Sequence, residues 1–263
     1  MRFNETLPFI SDRYFTLKLN DEKDVDINLY KKLSRIMHYT FNYSKDIYDL
    51  LNHYNSISLF NMSNSDIYGE LCWIIYNSGF KYEIIKKFWP DIVKEFYYFD
   101  VEQVSKLNND VHNNALNICE KINFYNIKKA KWCIYNAKRI LELDEEKKEC
   151  NGFKGYLIEL SKIELISLIN DISNIIKELR FKGIGEITVF HFLKNIGIDI
   201  YKPDRHIIRL FEKMGILHDS NDIQEVTKGF LKISDYTNFS IRELDTILFE
   251  FGRITNDAKH IML

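Results

Sequence analysis

Asp204 is the residue of this sequence best placed to do chemistry. It follows Pro203, opens the run Arg205-His206-Ile207-Ile208-Arg209, and stands nineteen residues after Gly185. A carboxylate kept ionised in a partly dry site can stabilise developing positive charge and can orient or deprotonate a water. An Asp after a Pro is equally the mark of a helix N-cap, and both readings stand for Asp204. Upstream, Gly183 and Gly185 flank Ile184 and suit a tight turn that needs positive φ and lets another backbone approach. The open amides of such a turn, where a helix begins, can hold a phosphate. Lys182 before the turn, and Arg205 and Arg209 after Asp204, would add cationic contacts, although solvated surface explains each arginine as well.

These residues need helices to position them. Phe190, Leu193 and Ile196 recur at spacings of three, the buried stripe of a helix leaving the turn. The loop over 197–203 carries Gly and Pro as breakers before Asp204. Elsewhere the pattern predicts one helix over 27–53, with Leu29, Leu33, Ile36, Met37, Phe41, Ile47 and Leu50 inward, then a polar connector over 52–64. Ser65 or Asp66 should cap a helix through Tyr76 that ends at Asn77-Ser78-Gly79. A helix over 82–89 should be followed by a new one begun by Pro90. Asp100 should cap a short helix, followed by helices over 110–120 and 126–143, the latter with Ile127, Ala130, Ile134, Ala137 and Leu141 on one side. A charged connector over 144–152, a helix over 161–180, and helices over 221–233 and 240–256 complete the chain. Residues 1–26 read as extended or irregular, with a short hairpin around 14–19. No alternating run suggests a substantial sheet, so the fold class is all-α.

Composition narrows the partners. The 263 residues carry a formal net charge of −2, which excludes a binder that works by bulk positive charge. The segment 177–213 nevertheless holds eight Lys/Arg against five Asp/Glu, a local excess of +3. Cys72, Cys119, Cys133 and Cys150 form no CxxC pair and signal neither zinc nor a disulfide framework. No signal-peptide pattern or long apolar run is present, which predicts a soluble cytoplasmic protein with no membrane partner.

Two sets of residues carry a resemblance. Phe181-Lys182-Gly183-Ile184-Gly185 and Asp204, His206, Ile207 and Arg209, closed by Met214-Gly215, resemble the L-P-G-V-G and V-D-x-H-h-x-R patterns of the helix-hairpin-helix DNA glycosylase superfamily. Phe124-Tyr125-Asn126-Ile127-Lys128-Lys129-Ala130 is similar to its F-Y-x-x-K-A helix start. A partial likeness over 68–200 points to the 3-methyladenine DNA glycosylase I family, on Gly79, Ile84-Ile85-Lys86-Lys87, Phe99-Asp100, Val104, Asn136-Ala137 and 181–185. The chain departs from that family in three ways. It lacks the zinc-binding Cys and His residues near the termini, has Ile74 where the base-contacting glutamate would stand, and has Asp204, which that family lacks.

The resemblance implies a two-lobed helical glycosylase unit, one lobe spanning 100–210 and the other 25–99 with 211–263. It implies Asp204 as the catalytic carboxylate, and phosphate contacts from Lys182, Gly183, Gly185, Arg205 and Arg209. The lysine nucleophile of strand-cutting relatives would fall at Ile187, so hydrolysis without strand cleavage is implied. An iron–sulfur cluster is excluded because no cysteine follows Cys150. The expected substrate is a damaged base, an alkylated purine such as 3-methyladenine, flipped from double-stranded DNA by a monomeric, nucleoid-associated enzyme. Trp73, Tyr76 and Tyr82 would stack on the flipped base while Asn77 or Phe80 fills the gap; core packing is the competing reading for each aromatic. No cofactor is implied beyond a monovalent cation that the hairpin carbonyls of relatives hold. Excision of an oxidised or deaminated base, and a DNA-binding module without catalysis, remain as alternatives.

Overall fold

The computed structural model describes residues 26–219 and 222–255, and among them there are only helices, short 3-10 turns and loops. The extended segment and hairpin expected near the N-terminus lie, apart from Asp26, outside the described residues. Among these residues no helix is long and apolar enough to cross a membrane. Chain contacts divide the protein into two compact units, residues 1–54 with 203–263 and residues 55–202.

The first unit is built on α1 (Ile27–Tyr43), α2 (Ile47–Ser56), α11 (Arg205–Met214), α12 (Ile223–Asp235) and α13 (Ile241–Ile254). Asp26 caps α1 by accepting the Leu29 amide at 3.1 Å, and Leu29, Leu33, Ile36, Met37 and Phe41 form its buried stripe. Where one helix over 27–53 was expected there are two. Ser44 leaves the helix in extended conformation and its hydroxyl donates to Glu250, a carboxylate that is only 1% exposed and needs donors. The second helix therefore turns Leu51 inward and leaves Leu50 half-exposed. Helix α13 opens with a Ser240–Glu243 capping box and is buried on several faces, with Leu244, Ile247, Leu248 and Phe251 in the core.

The second unit contains α3 (Asn64–Asn77), α4 (Tyr82–Glu95), α5 (Val101–Lys106), α6 (Val111–Ile122), α7 (Ile127–Glu146), α8 (Gly152–Ser161), α9 (Leu165–Leu179) and α10 (Glu186–Asn195). Helix α7 is its axis and packs on α3, α5, α6 and α8. Ala130, Cys133 and Ala137 lie buried along it, small side chains that let the neighbouring helices come close, with Ile134, Ile140 and Leu143 filling the rest.

Three expected boundaries move. Helix α3 is capped by Ser63 rather than Ser65 or Asp66, and Asp66 supplies the returning side of the capping box. Helix α4 runs through Pro90 instead of restarting there, because one continuous helix buries both Ile85 and Ile92. The bond lost at exposed Pro90 leaves the carbonyl of exposed Lys86 to water. The stretch expected as a charged connector and the residues after it contain α8, whose Phe153, Tyr156, Leu157 and Leu160 are buried. Its cap comes from the preceding helix, where Asp144 accepts the Phe153 amide at 2.8 Å.

Candidate nucleic-acid interface

Arg180 ends α9 in the left-handed region at φ 52°, its amide still bonded to the Ile176 carbonyl. Phe181 then turns inward and anchors the loop edge-on against Phe153 and Phe192, with centroids 5.7 and 5.9 Å away. Gly183 has φ +81°, and a Cβ there would lie 2.5 Å from the Trp132 ring. Both its conformation and the close approach of Trp132 require glycine. Gly185 differs from the expectation of positive φ. It sits in ordinary extended backbone at φ −116° as the N-cap of α10, and a Cβ added there would meet nothing within 4 Å.

The turn is held from beneath by α7. Asn136, fully buried, accepts the Lys182 amide at 2.8 Å and donates to the Lys182 carbonyl at 3.0 Å. One turn on, buried Arg139 donates to the last carbonyls of α9, Glu178 at 2.9 Å and Leu179 at 3.0 Å. The same guanidinium makes paired bonds to Glu146 at 2.6 and 2.7 Å, and Arg180 grips that carboxylate from the other side. These bonds, those from Arg139 first, hold the Glu146 carboxyl down at about 2. The result is a turn whose backbone is set by side chains of α7 together with its own Gly183. Its amides at Gly183, Glu186 and Ile187 meet no acceptor among the described residues. Thr188 closes the start of α10 by accepting the Gly185 amide at 2.6 Å.

Asp204 belongs to the other unit and caps α11, accepting the His206 amide at 2.9 Å and the Ile207 amide at 3.3 Å through Oδ1. Its carboxyl is half-buried, and Arg205 and Arg209 are exposed on the same helix. His206 packs edge-on against Phe249 at 5.3 Å and lies under Gly252.

The aromatic candidates gather around the turn from α3 to α4. Asn77 closes that turn, its carbonyl accepting the Phe80 amide at 3.1 Å and its side chain donating to the Trp73 carbonyl at 3.2 Å. Trp73 is half-buried, edge-on to Tyr82 at 5.7 Å and to Trp89 at 4.8 Å. Phe80 and Tyr82 are exposed. Tyr76 is set apart from them, fully buried among Phe96 and Phe124. The turn is pinned by Lys129, a buried lysine whose ammonium donates to the Ser78 carbonyl at 2.6 Å and to that of Ile75. Burial lowers its pKa.

Residues that the sequence did not single out complete the region. Trp132 and Arg139 carry the hairpin but show themselves only through partners distant in sequence. Glu70, on α3, accepts from Asn195 at 3.0 Å and has no ion-pair partner among the described residues, so burial raises its pKa. It stands one helical turn before Ile74. A polar residue on an otherwise apolar helix face was the available signal for Glu70. Compared with known proteins, the chain matches no family model, no curated protein and no solved structure.

Proposed function

We propose that this protein is a monofunctional DNA N-glycosylase of the helix-hairpin-helix type, excising an alkylated purine from duplex DNA. The observation that carries the reading is Gly185. The fold makes no demand for glycine there, since its backbone is extended and its Cβ position is open. A glycine beside three open amides suits a backbone that an outside group must approach closely, and a phosphate oxygen is the natural acceptor for those amides. N-cap preference alone accounts for glycine less well than for Ser, Asp or Asn.

Asp204 then supplies the charge that stabilises an oxocarbenium-like sugar and orients the attacking water. Ile187, 45% exposed where strand-cutting relatives carry lysine, leaves water as the nucleophile. A cationic alkylated purine departs with little acid assistance, which agrees with Ile74 at the place of the missing glutamate. Trp73, Phe80 and Tyr82 offer accessible rings for a flipped base and its gap.

One observation favours a second reading, a DNA-binding module without catalysis: Asp204 Oδ1 is committed to capping α11. Release of free base from duplexes carrying single alkylated, oxidised or deaminated lesions separates the two. Wild type that binds these duplexes and releases no base from any of them would leave the binding module.

A further inference from the structure

Helix α7 is charged against its own dipole. Its first fourteen residues, 127–140, contain Lys128, Lys129, Lys131, Lys138 and Arg139 and no acid, whereas Glu142, Asp144, Glu145 and Glu146 crowd its end. The positive end of a helix favours carboxylates and its negative end favours cations, so this order weakens the isolated helix. Two of the cations have structural roles, Lys129 on the carbonyls of α3 and Arg139 on those of α9. Lys138 lies 3.9 Å from Glu142. Lys128 and Lys131 have no such role, and no carboxylate lies within ion-pair distance of either among the described residues.

These two lysines share a face with Trp132 and Tyr135, at spacings of three, four and seven. The face runs directly into the hairpin, because Trp132 packs on Gly183. The rings hold the cations in place. Lys128 Nζ lies 4.9 Å from the Trp132 centroid, and Lys182 Nζ reaches from the hairpin to 5.2 Å from that of Tyr135. Both rings are half-buried, so they form a floor beneath the ammonium groups.

We propose that this face of α7 is a second nucleic-acid-backbone contact, continuous with the hairpin, on which Lys128 and Lys131 each meet a phosphate of duplex DNA. It rests on the DNA-binding part of the reading above and is independent of base excision. A row of cations, Lys128 and Lys182 over aromatic rings and Lys131 between them in sequence, leading to open backbone amides, complements a repeating phosphodiester chain better than an isolated anion. The chain's net charge of −2 makes such local placement the only electrostatic route to DNA.

The test is the salt dependence of binding to an undamaged duplex of arbitrary sequence, for wild type, Lys128→Gln/Lys131→Gln, and Lys148→Gln as a control at an exposed lysine paired with Glu145. Each phosphate contact contributes about −0.9 to the slope of log K against log salt, so the double variant should be shallower by about 1.8. Its thermal midpoint should not fall, since removing cations from the start of α7 relieves the dipole. In a Trp73→Phe background DNA should also alter tryptophan fluorescence, and adding Trp132→Phe should lose most of that change. An unchanged slope in the double variant, with wild type binding steeply, overturns the α7 contact and leaves the hairpin reading intact. Absence of salt-sensitive binding by wild type overturns both. A fluorescence change that persists when Trp132→Phe is added to Trp73→Phe also counts against this face.

Discussion

Asn136 and Lys182 are joined by two hydrogen bonds, 2.8 Å from the Lys182 amide and 3.0 Å to its carbonyl, across 46 residues of sequence. The amide side chain of one helix thus acts as a backbone strand for the turn. Because Asn136 is fully buried, its side-chain amide has no water to fall back on if either bond is lost.

Asn136→Ala should therefore cost about 1–3 kcal/mol, the penalty for leaving buried polar groups unmet. DNA affinity should fall by more than for a core truncation of equal cost, such as Ile134→Val, because the turn itself is released. Urea unfolding and duplex binding on the same preparations check this. Equal binding losses at equal stability would show that the turn does not carry the contact.

The two hairpin glycines should separate fold from function. Gly183→Ala combines left-handed backbone with a Cβ 2.5 Å from Trp132, and should destabilise by about 2–4 kcal/mol. Gly185→Ala meets no atom of the protein and should leave the urea midpoint nearly unchanged while weakening DNA binding several-fold. Gly185→Ala that binds like wild type would remove the main support for the phosphate contact.

Glu70 sets a pH dependence. Its pKa is raised by burial, so the folded state holds the proton more tightly than the unfolded chain does. Stability from this group is present below the ordinary carboxylate range and is lost as pH rises through the raised folded value. Glu70→Gln keeps an acceptor for Asn195 and cannot ionise. The thermal midpoint of the variant minus that of wild type should be near zero at about pH 4 and grow to a plateau toward neutral pH. A difference that stays constant across this range would contradict the assignment.

His191 behaves in the opposite sense. Burial, then Lys202 and Lys194, lower its pKa to about 3, so the folded state disfavours the protonated ring. Its contribution is present above the ordinary histidine range and is lost as pH falls from about 6.5 toward 3. His191→Gln should make the acid limb of the stability curve shallower between those values, measured by thermal midpoint.

Much of the helical frame was legible because its signals are local. Asp100, Asp110, Asn126, Asp204 and Ser240 all cap the helices they were expected to open, each through bonds within three residues. Phe190, Leu193 and Ile196 are buried as their spacing required. Signals that depend on distant partners were not legible. Ser44 breaks a helix for a carboxylate 206 residues away, and Asp144 caps α8 from the preceding helix. Trp132 explains Gly183, yet nothing near position 132 announces a turn. Gly185 looked like a conformational glycine because its neighbour is one; only its backbone angles and the open space around it distinguish the two.

The most direct test of the central proposal is base release by wild type and Asp204→Asn on duplexes carrying a single 3-methyladenine or other lesion. Asparagine still caps α11, so the variant should fold and bind DNA as wild type does. Wild type should release a base and leave the strand intact until heat or alkali is applied. Asp204→Asn should release it at least about 100-fold more slowly, the scale expected for losing a positioned catalytic carboxylate. Equal release by both proteins would remove Asp204 from the chemistry, and no release by wild type from any lesion duplex it binds would contradict the glycosylase assignment.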